Sequence, residues 1–476
     1  MEEKTTLFAY VYWSIQQDIV AGVLPHGSAL PSLRQLAARY HVGMRTARDV
    51  MAALREDGYI ETHERRRATV RYGDGASDEA AQAAAALLAR RATIEQSLDT
   101  MALVMPAAFA ACAAGRLRGG RGSFRLDGGG RRTSADDLGT SSMVLHEVLE
   151  AAGNATLSAC YARLERAAVL PQVRGFAHPH EEARRAGRGL YAGAVAALSA
   201  GDEELTRTRF EALYADAVER AARYFDAVAA AFPEIETLPP AFEWNAKAGR
   251  VYAHAEVARD LVASIATGAL EPGSFLPSID ELSARYAVSP ITVRRALGML
   301  RDLGVAETIN GRGTRVASST LRFEGGAGGE NAFRAGIEMF LDALELLVEV
   351  LPLAARQAFG ALAAAPEAGD AAGRAGGDGE DWSLPGDLMR ALAAAQPLQP
   401  FRVILEELEE LLHWGYVFLL ARPGSDARRQ LMACARRAAH ALADGDERAY
   451  ADALAAYYRT MLVEIRGYLA QTGISA

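Results

Sequence analysis

A mainly α fold, laid out twice along a single chain, is what this sequence predicts, and three observations predict it. Residues 15–70 recur at 261–316 without a gap, at a constant offset of about 246, with roughly 22 of 56 positions identical. The region after each copy is rich in Ala and Leu and nearly free of strand signals. A glycine-rich stretch breaks each helical region at the same relative place, Gly115–Gly139 in the first half and Pro366–Gly386 in the second. The layout is therefore two small domains with a β wing alternating with two all-α helical bundles, an internal duplication.

The first copy opens with a helix over Leu7–Gly22. In both copies a serine, Ser32 or Ser278, follows Leu-Pro and precedes an apolar-periodic run, where an N-cap belongs. In the second copy Ile279, Leu282 and Tyr286 fall on one face of a short helix. Val288 begins a turn, and Ser289 with Pro290 starts a longer helix as N-cap and first helical residue. Val293, Ala296, Leu297 and Leu300 form its buried stripe, which turns Thr292, Arg294 and Arg295 outward near its N-terminus. Gly304 stops it as a left-handed C-terminal residue would. Val305–Thr308 and Thr314–Val316 then pair around Asn310-Gly311-Arg312-Gly313, a turn with an arginine at its tip. Helix, turn, longer helix and two-stranded wing make a winged helix-turn-helix, which presents its second helix to the major groove of double-stranded DNA.

At these residues the chain resembles the GntR family of bacterial transcription regulators. The second copy carries Leu276-Pro277-Ser278, Val288-Ser289, Thr292-Val293-Arg294 and Gly311-Arg312-Gly313-Thr314 of that family's motifs. The resemblance implies DNA contacts from Arg34, Arg45, Thr46 and Arg48 in the first copy. In the second it implies Ser289, Thr292, Arg294 and Gly311, to which the helix cap, outward face and wing tip read above add Ser278, Arg295, Arg312 and Gly313. The copies depart from the pattern at different places. Met44 fills the usual turn-arginine slot of the first, with Arg45 beside it, and Asp280 and Pro290 fill the two arginine slots of the second. The first wing lacks glycine and offers Arg65-Arg66-Arg67 instead. Unequal half-sites are the consequence, with Asp280 weakening phosphate contact by the second copy.

The charge supports a divided molecule. The whole chain carries −9 at neutral pH, yet residues 7–72 hold nine arginines against six acids and residues 251–317 are close to neutral. The acid lies in the rest of the chain, so non-specific binding to DNA should be modest and salt-sensitive.

Helices are expected over Glu79–Gly115, again from about Ser141, and over Asp387–Ala470, with breaks near Pro171–His180 and Pro233–Pro240. The Arg/Gly-rich loop Gly115–Gly139 reads as a solvated linker. The duplication extends through these regions: Arg91-Ala92-Thr93-Ile94-Glu95 matches Arg334-Ala335-Gly336-Ile337-Glu338, and Ala197–Glu203 matches Ala441–Glu447. The domains expected are residues 1–73 and 248–318, winged, and 77–240 and 328–476, helical.

The first helical region resembles the FCD-type effector domain that follows some GntR winged helices, through His146-Glu147-Val148-Leu149 and Ala152-Gly153-Asn154. Many such domains hold a divalent metal through an Asp and three His. Here Ser142 fills the Asp slot, Tyr191 the second His slot, and Leu213 or Tyr214 the third, so one ligand in four remains and no metal or other cofactor is expected. His178 and His180 form a pair without an evident third ligand. A pocket can outlast its metal, and a small-molecule metabolite would then meet His146, Asn154, Tyr161, Tyr191 and Tyr214 in the first half, with Tyr458 in the second.

The three cysteines, Cys112, Cys160 and Cys434, lack metal-type spacing and read as buried apolar residues in a reducing cytosol. No secretory signal opens the chain, and the apolar run Phe340–Ala354 is short and holds Asp342, Glu345 and Glu349, so a cytoplasmic protein with no membrane partner is expected. No nucleophile elbow, P-loop, zinc-protease or deaminase signature argues for an enzyme. Two readings remain open: a regulator working as a monomeric pseudo-dimer or as a homodimer, and a protein-interaction scaffold whose winged helices no longer read DNA.

Overall fold

The structure, a computed structural model, describes residues 11–12, 15–16, 18–19, 24–40, 43–56, 58–62, 66–72, 77–117, 138–179, 188–247, 253–266, 268–318, 330–365, 371, 373–375, 381–415 and 426–472. The chain separates into two compact units. One comprises Met1–Asn154, Ser158–Trp244 and Leu398–Phe401, and the other Ala155–Leu157, Asn245–Pro397 and Arg402–Ala476. Each is mainly α with a single two-stranded antiparallel sheet among the described residues.

The first unit starts with the winged domain. Residues 11–12, 15–16 and 18–19 are helical, and Val11, Tyr12, Ile15 and Ile19 are buried in its core. Helix α1 (Leu33–Arg39) is short, and its Ser32 cap is reciprocated by Gln35. Helix α2 (Met44–Glu56) buries Ala47, Val50 and Leu54 against Leu36 and Tyr40. Strands β1 (Ile60–Glu61) and β2 (Thr69–Val70) pair with Ile60 opposite Val70, and Ala29 bridges to Thr69 as a third, minimal strand.

The helical part of this unit contains α3 (Ser77–Ala89), α4 (Arg91–Ala113), α5 (Leu138–Ala151), α6 (Ala155–Ala167), α7 (Arg188–Ala200) and α8 (Glu203–Ala231). Helix α4 runs unbroken through Pro106, and the helical stretch expected over Glu79–Gly115 divides in two at Arg90. It packs along α8, with the Phe109 and Phe210 rings stacked at 4.2 Å and neither exposed. Burying each such ring contributes about 1.5–3 kcal/mol. By length and composition α4 could cross a membrane, but its apolar window is 61% buried, as a bundle's core helix should be. The irregular chain after α6 is pinned by Tyr224 of α8, whose hydroxyl donates to Pro171 O at 2.9 Å and accepts from Val173 N at 2.7 Å. Burial pushes that phenol up to about 12, the Val173 bond opposing it. Nearby, His178 Nε2 lies 2.9 Å from Leu170 O, a packing role rather than a ligand's; His180 lies outside the described residues.

The second unit repeats the order. Its winged part is α9 (Ala253–Ala266), α10 (Ile279–Tyr286), α11 (Pro290–Asp302), β3 (Ala306–Ile309) and β4 (Gly313–Val316). Its helical part is α12 (Glu330–Ala363), α13 (Leu384–Ala394), α14 (Gln399–Leu412), a 3-10 turn at His413–Gly415, α15 (Asp426–Ala443) and α16 (Glu447–Thr472). The glycine-rich stretch expected to reach Gly386 ends sooner, because Pro385 opens α13 in its first turn, where a missing N–H costs nothing. Most of Gly115–Gly139 lies outside the described residues. Gly336 of α12 has no room for a side chain, since an added Cβ would sit 2.5 Å from the fully buried Trp414 ring.

The duplication holds bond for bond. Leu30 N donates to Ala68 O and Leu276 N to Thr314 O, both at 2.8 Å. Gly58 and Gly304 both follow the longer winged helix with positive φ, 77° and 70°. Asp202 and Asp446 cap α8 and α16, accepting from Leu205 N at 3.0 Å and Ala449 N at 2.9 Å.

Candidate nucleic-acid interface

In the second winged domain, local chemistry sets the turn. Ser278 Oγ accepts from Glu281 N at 3.2 Å while the Glu281 carboxylate accepts from Ser278 N at 2.7 Å, a capping box that holds the Glu281 carboxyl below its ordinary value. Ala287 takes the left-handed conformation at φ 52°, a position that sequence reading did not single out. Ser289 Oγ accepts from Thr292 N at 3.3 Å and lies 2.9 Å from Thr292 Oγ1. Ser278 and Ser289 thus act as the starting caps of α10 and α11, shaping the surface that a groove would meet.

With Val293, Ala296 and Leu300 fully buried, α11 presents Ile291, Arg294 and Arg295 outward at i, i+3 and i+4. The wing turn carries Gly311 at φ 73° and Gly313 at φ 114°, conformations that a side chain resists. Arg312 at its tip lies over the Phe275 ring at 5.4 Å. Two neighbouring arginines are committed within the domain: Arg315 Nε donates to Glu307 at 3.0 Å and Arg301 Nη1 to Thr308 Oγ1 at 3.0 Å. Asp280 is exposed on α10.

The first winged domain makes the same surface with more cations. Arg34, Arg45, Arg48, Arg66 and Arg67 are exposed, and Thr46 is half-buried at the start of α2. Arg65 lies outside the described residues.

A family profile falls on these two domains. Residues 8–70 and 253–316 match the sequence profile described as "Bacterial regulatory proteins, gntR family". Both winged domains belong to the GntR family. Over 69 residues the chain is 35% identical to the mannosyl-D-glycerate transport/metabolism system repressor MngR of Escherichia coli (strain K12). That match covers 14% of this chain and 29% of the repressor. A solved Streptococcus agalactiae GntR structure, 18% identical, covers 44% of this chain and 99% of its own, with a TM-score of 0.17.

Beside the GntR domains, the first helical domain gathers four of the five residues expected to line a pocket. His146, Tyr161 and Tyr214 interact with a carboxylate that sequence reading missed, Glu165, and Tyr191 with the two tyrosines. His146 Nε2 lies 2.9 Å from Glu165 Oε2, and Tyr161 OH donates to Glu165 Oε1 at 3.3 Å. Burial first, then Glu165, Tyr214 and Tyr191, raises the Tyr161 phenol, and burial followed by Glu165 raises Tyr214. Asn154 is fully buried but precedes α6, about 16 Å along the helix from Glu165 at 1.5 Å per residue, so it does not join this cluster. In the second helical domain Arg390 Nη1 lies 2.9 Å from Glu409, at the positions 244 beyond His146 and Glu165.

The second helical domain also has a cleft lined by Trp382, His413, Arg428, Tyr457, Tyr458 and Tyr468 among others. On the same turn of chain, Glu410 accepts from Lys247 Nζ at 3.0 Å, and its backbone oxygen accepts from Arg259 of α9 at 3.3 Å. Burial opposes ionisation of Glu410, but Lys247, His413 and Arg259 together hold it below the usual carboxylate value. Glu409, Glu410 and His413 bring their ligand atoms within 4.8 Å of one another. Both carboxylates are already paired with Arg390 or Lys247, so a cation would have to displace those partners.

Proposed function

We propose that this protein is a sequence-specific DNA-binding transcription regulator of the GntR type. The observation that carries the reading is the outward face of each recognition helix: Arg45 and Arg48 on α2, and Arg294 and Arg295 on α11, exposed above a buried apolar stripe. Helices of this kind reach base edges from their N-terminal turns while neighbouring cations hold the phosphates. The test is the double variant Arg48→Ala/Arg294→Ala. Specific binding to an operator selected in vitro should weaken by at least several-fold, since each good base contact contributes about 1–3 kcal/mol. Unchanged binding by the folded variant would favour the scaffold reading instead.

The finer reading is a single-chain pseudo-dimer. Residues 1–73 and 248–318 act as two reading heads on a pseudo-palindromic operator, and residues 77–240 and 328–476 as FCD-like effector or dimerisation domains. Joining both copies in one polypeptide lets each diverge, and the exchange of Arg34 for Asp280 and Arg45 for Ile291 supports that divergence. A small metabolite would gate the heads from the helical domains. The Glu165 cluster and the aromatic cleft are the two places whose chemistry suits one, with aromatic walls and a few convergent polar groups.

A further inference from the structure

Ile291 occupies an unusual place for an aliphatic side chain. It is the second residue of α11, just after the Ser289 cap and Pro290, and 60% exposed. The opposite face of the helix is fully spent on the core through Val293, Ala296 and Leu300. Ile291 shares its outward face with Arg294 and Arg295, both exposed. Because Cβ atoms tilt toward a helix N-terminus, a residue in the first turn projects ahead of the helix, toward whatever that end approaches. A β-branched side chain is also stiff at χ1, so it presents a fixed apolar surface rather than a mobile one.

We propose that Ile291 is a specificity-determining residue of the second winged domain, reading thymine through its 5-methyl group. This rests on the DNA-binding reading above and adds the base that the helix selects. Isoleucine has no donor or acceptor, so the polar pattern of a major-groove edge offers it nothing. Thymine alone among the four bases adds an apolar group there. Arg294 and Arg295, at i+3 and i+4, are placed to flank that contact with hydrogen bonds to bases or phosphates. The slot is chemically inverted in the first winged domain. Offset by 246, it holds Arg45, exposed in the first turn of α2. An arginine there selects the O6 and N7 acceptors of guanine. The two half-sites therefore differ at this position: an apolar reader in one head, a guanidinium in the other.

The test uses the full chain and an operator obtained by in vitro selection, with each thymine replaced in turn by deoxyuridine, which removes only the methyl. For the unaltered protein, a single position in one half-site should lose about fourfold in affinity, the factor expected for one buried methyl. With Ile291→Ala the same replacement should cost less than about 1.5-fold, because the methyl then has no partner. With Ile291→Arg, repeated selection should move the preference at that position from thymine toward guanine. Strong operator binding with a flat deoxyuridine scan, or a scan unchanged by Ile291→Ala, overturns this inference and leaves the regulator reading intact. Failure of the unaltered chain to select any duplex overturns both. Circular dichroism melting of the variants, expected to match the unaltered protein because Ile291 buries little, excludes misfolding as the cause.

Discussion

Arg390 meets Glu409 at 2.9 Å in the second helical domain, and His146 meets Glu165 at the same distance 244 positions earlier. Both pairs are 19 residues apart and join the helix before a turn to the helix after it. Glu409 keeps only 10% of its side chain exposed and Glu165 25%. A carboxylate so enclosed needs a partner, and the duplication retained the partner's position while changing its chemistry from an imidazole to a guanidinium.

Removing Arg390 should therefore leave Glu409 under-satisfied. Arg390→Met is expected to lower stability by about 1–3 kcal/mol in urea unfolding. Arg390→His, which recreates the pairing of the first half, should recover part of that loss at pH 6 and little at pH 8, because imidazole is mostly neutral above about 6.5. Equal recovery at both values would show that shape rather than charge holds the contact.

A histidine near the recognition helix gives the second winged domain a pH dependence of known sign. Burial first, and Arg295 second, lowers the His254 pKa below its ordinary 6.5. The unfolded chain then takes up the proton before the folded one. The contribution of neutral His254 is present above about pH 6.5 and is lost as pH falls through the lower, folded value. Comparing urea midpoints at pH 7.5 and 5.5, the loss on acidification should be smaller in His254→Gln than in the unaltered protein, and a larger loss would contradict the sign.

The wing arginine is expected to hold phosphate. Arg312→Ala should weaken binding about equally for operator and unrelated duplex and reduce the slope of log affinity against log salt by about one. A sequence-selective loss would make Arg312 a base reader instead.

The winged domains were legible almost to the residue because their signals are local. Caps at Ser278 and Ser289, the positive-φ Gly304 and the Asn310–Gly313 turn each announce themselves within a few positions. The expected strand at Val305–Thr308 lies one residue later, at Ala306–Ile309. The sites in the helical domains were only half legible. His146, Tyr161, Tyr191 and Tyr214 could be gathered by resemblance, but Glu165 could not, since a pair 19 residues apart exists only once two helices pack. The boundary at Gly386 failed for a different reason: Ser383-Leu384-Pro385 carries a helix start, and the glycines before it masked the signal. Ile291 lies outside the buried stripe of its helix, and only its 60% exposure beside Arg294 and Arg295 marks it out.

In the proposed pseudo-dimer one polypeptide supplies both reading heads. Native mass spectrometry of the complex with a selected operator, paired with hydroxyl-radical footprinting, tests it directly. One chain per duplex, protecting two unequal half-sites about one helical turn apart, is the predicted result. Two chains required for two identical half-sites, one winged domain idle in each, would contradict it.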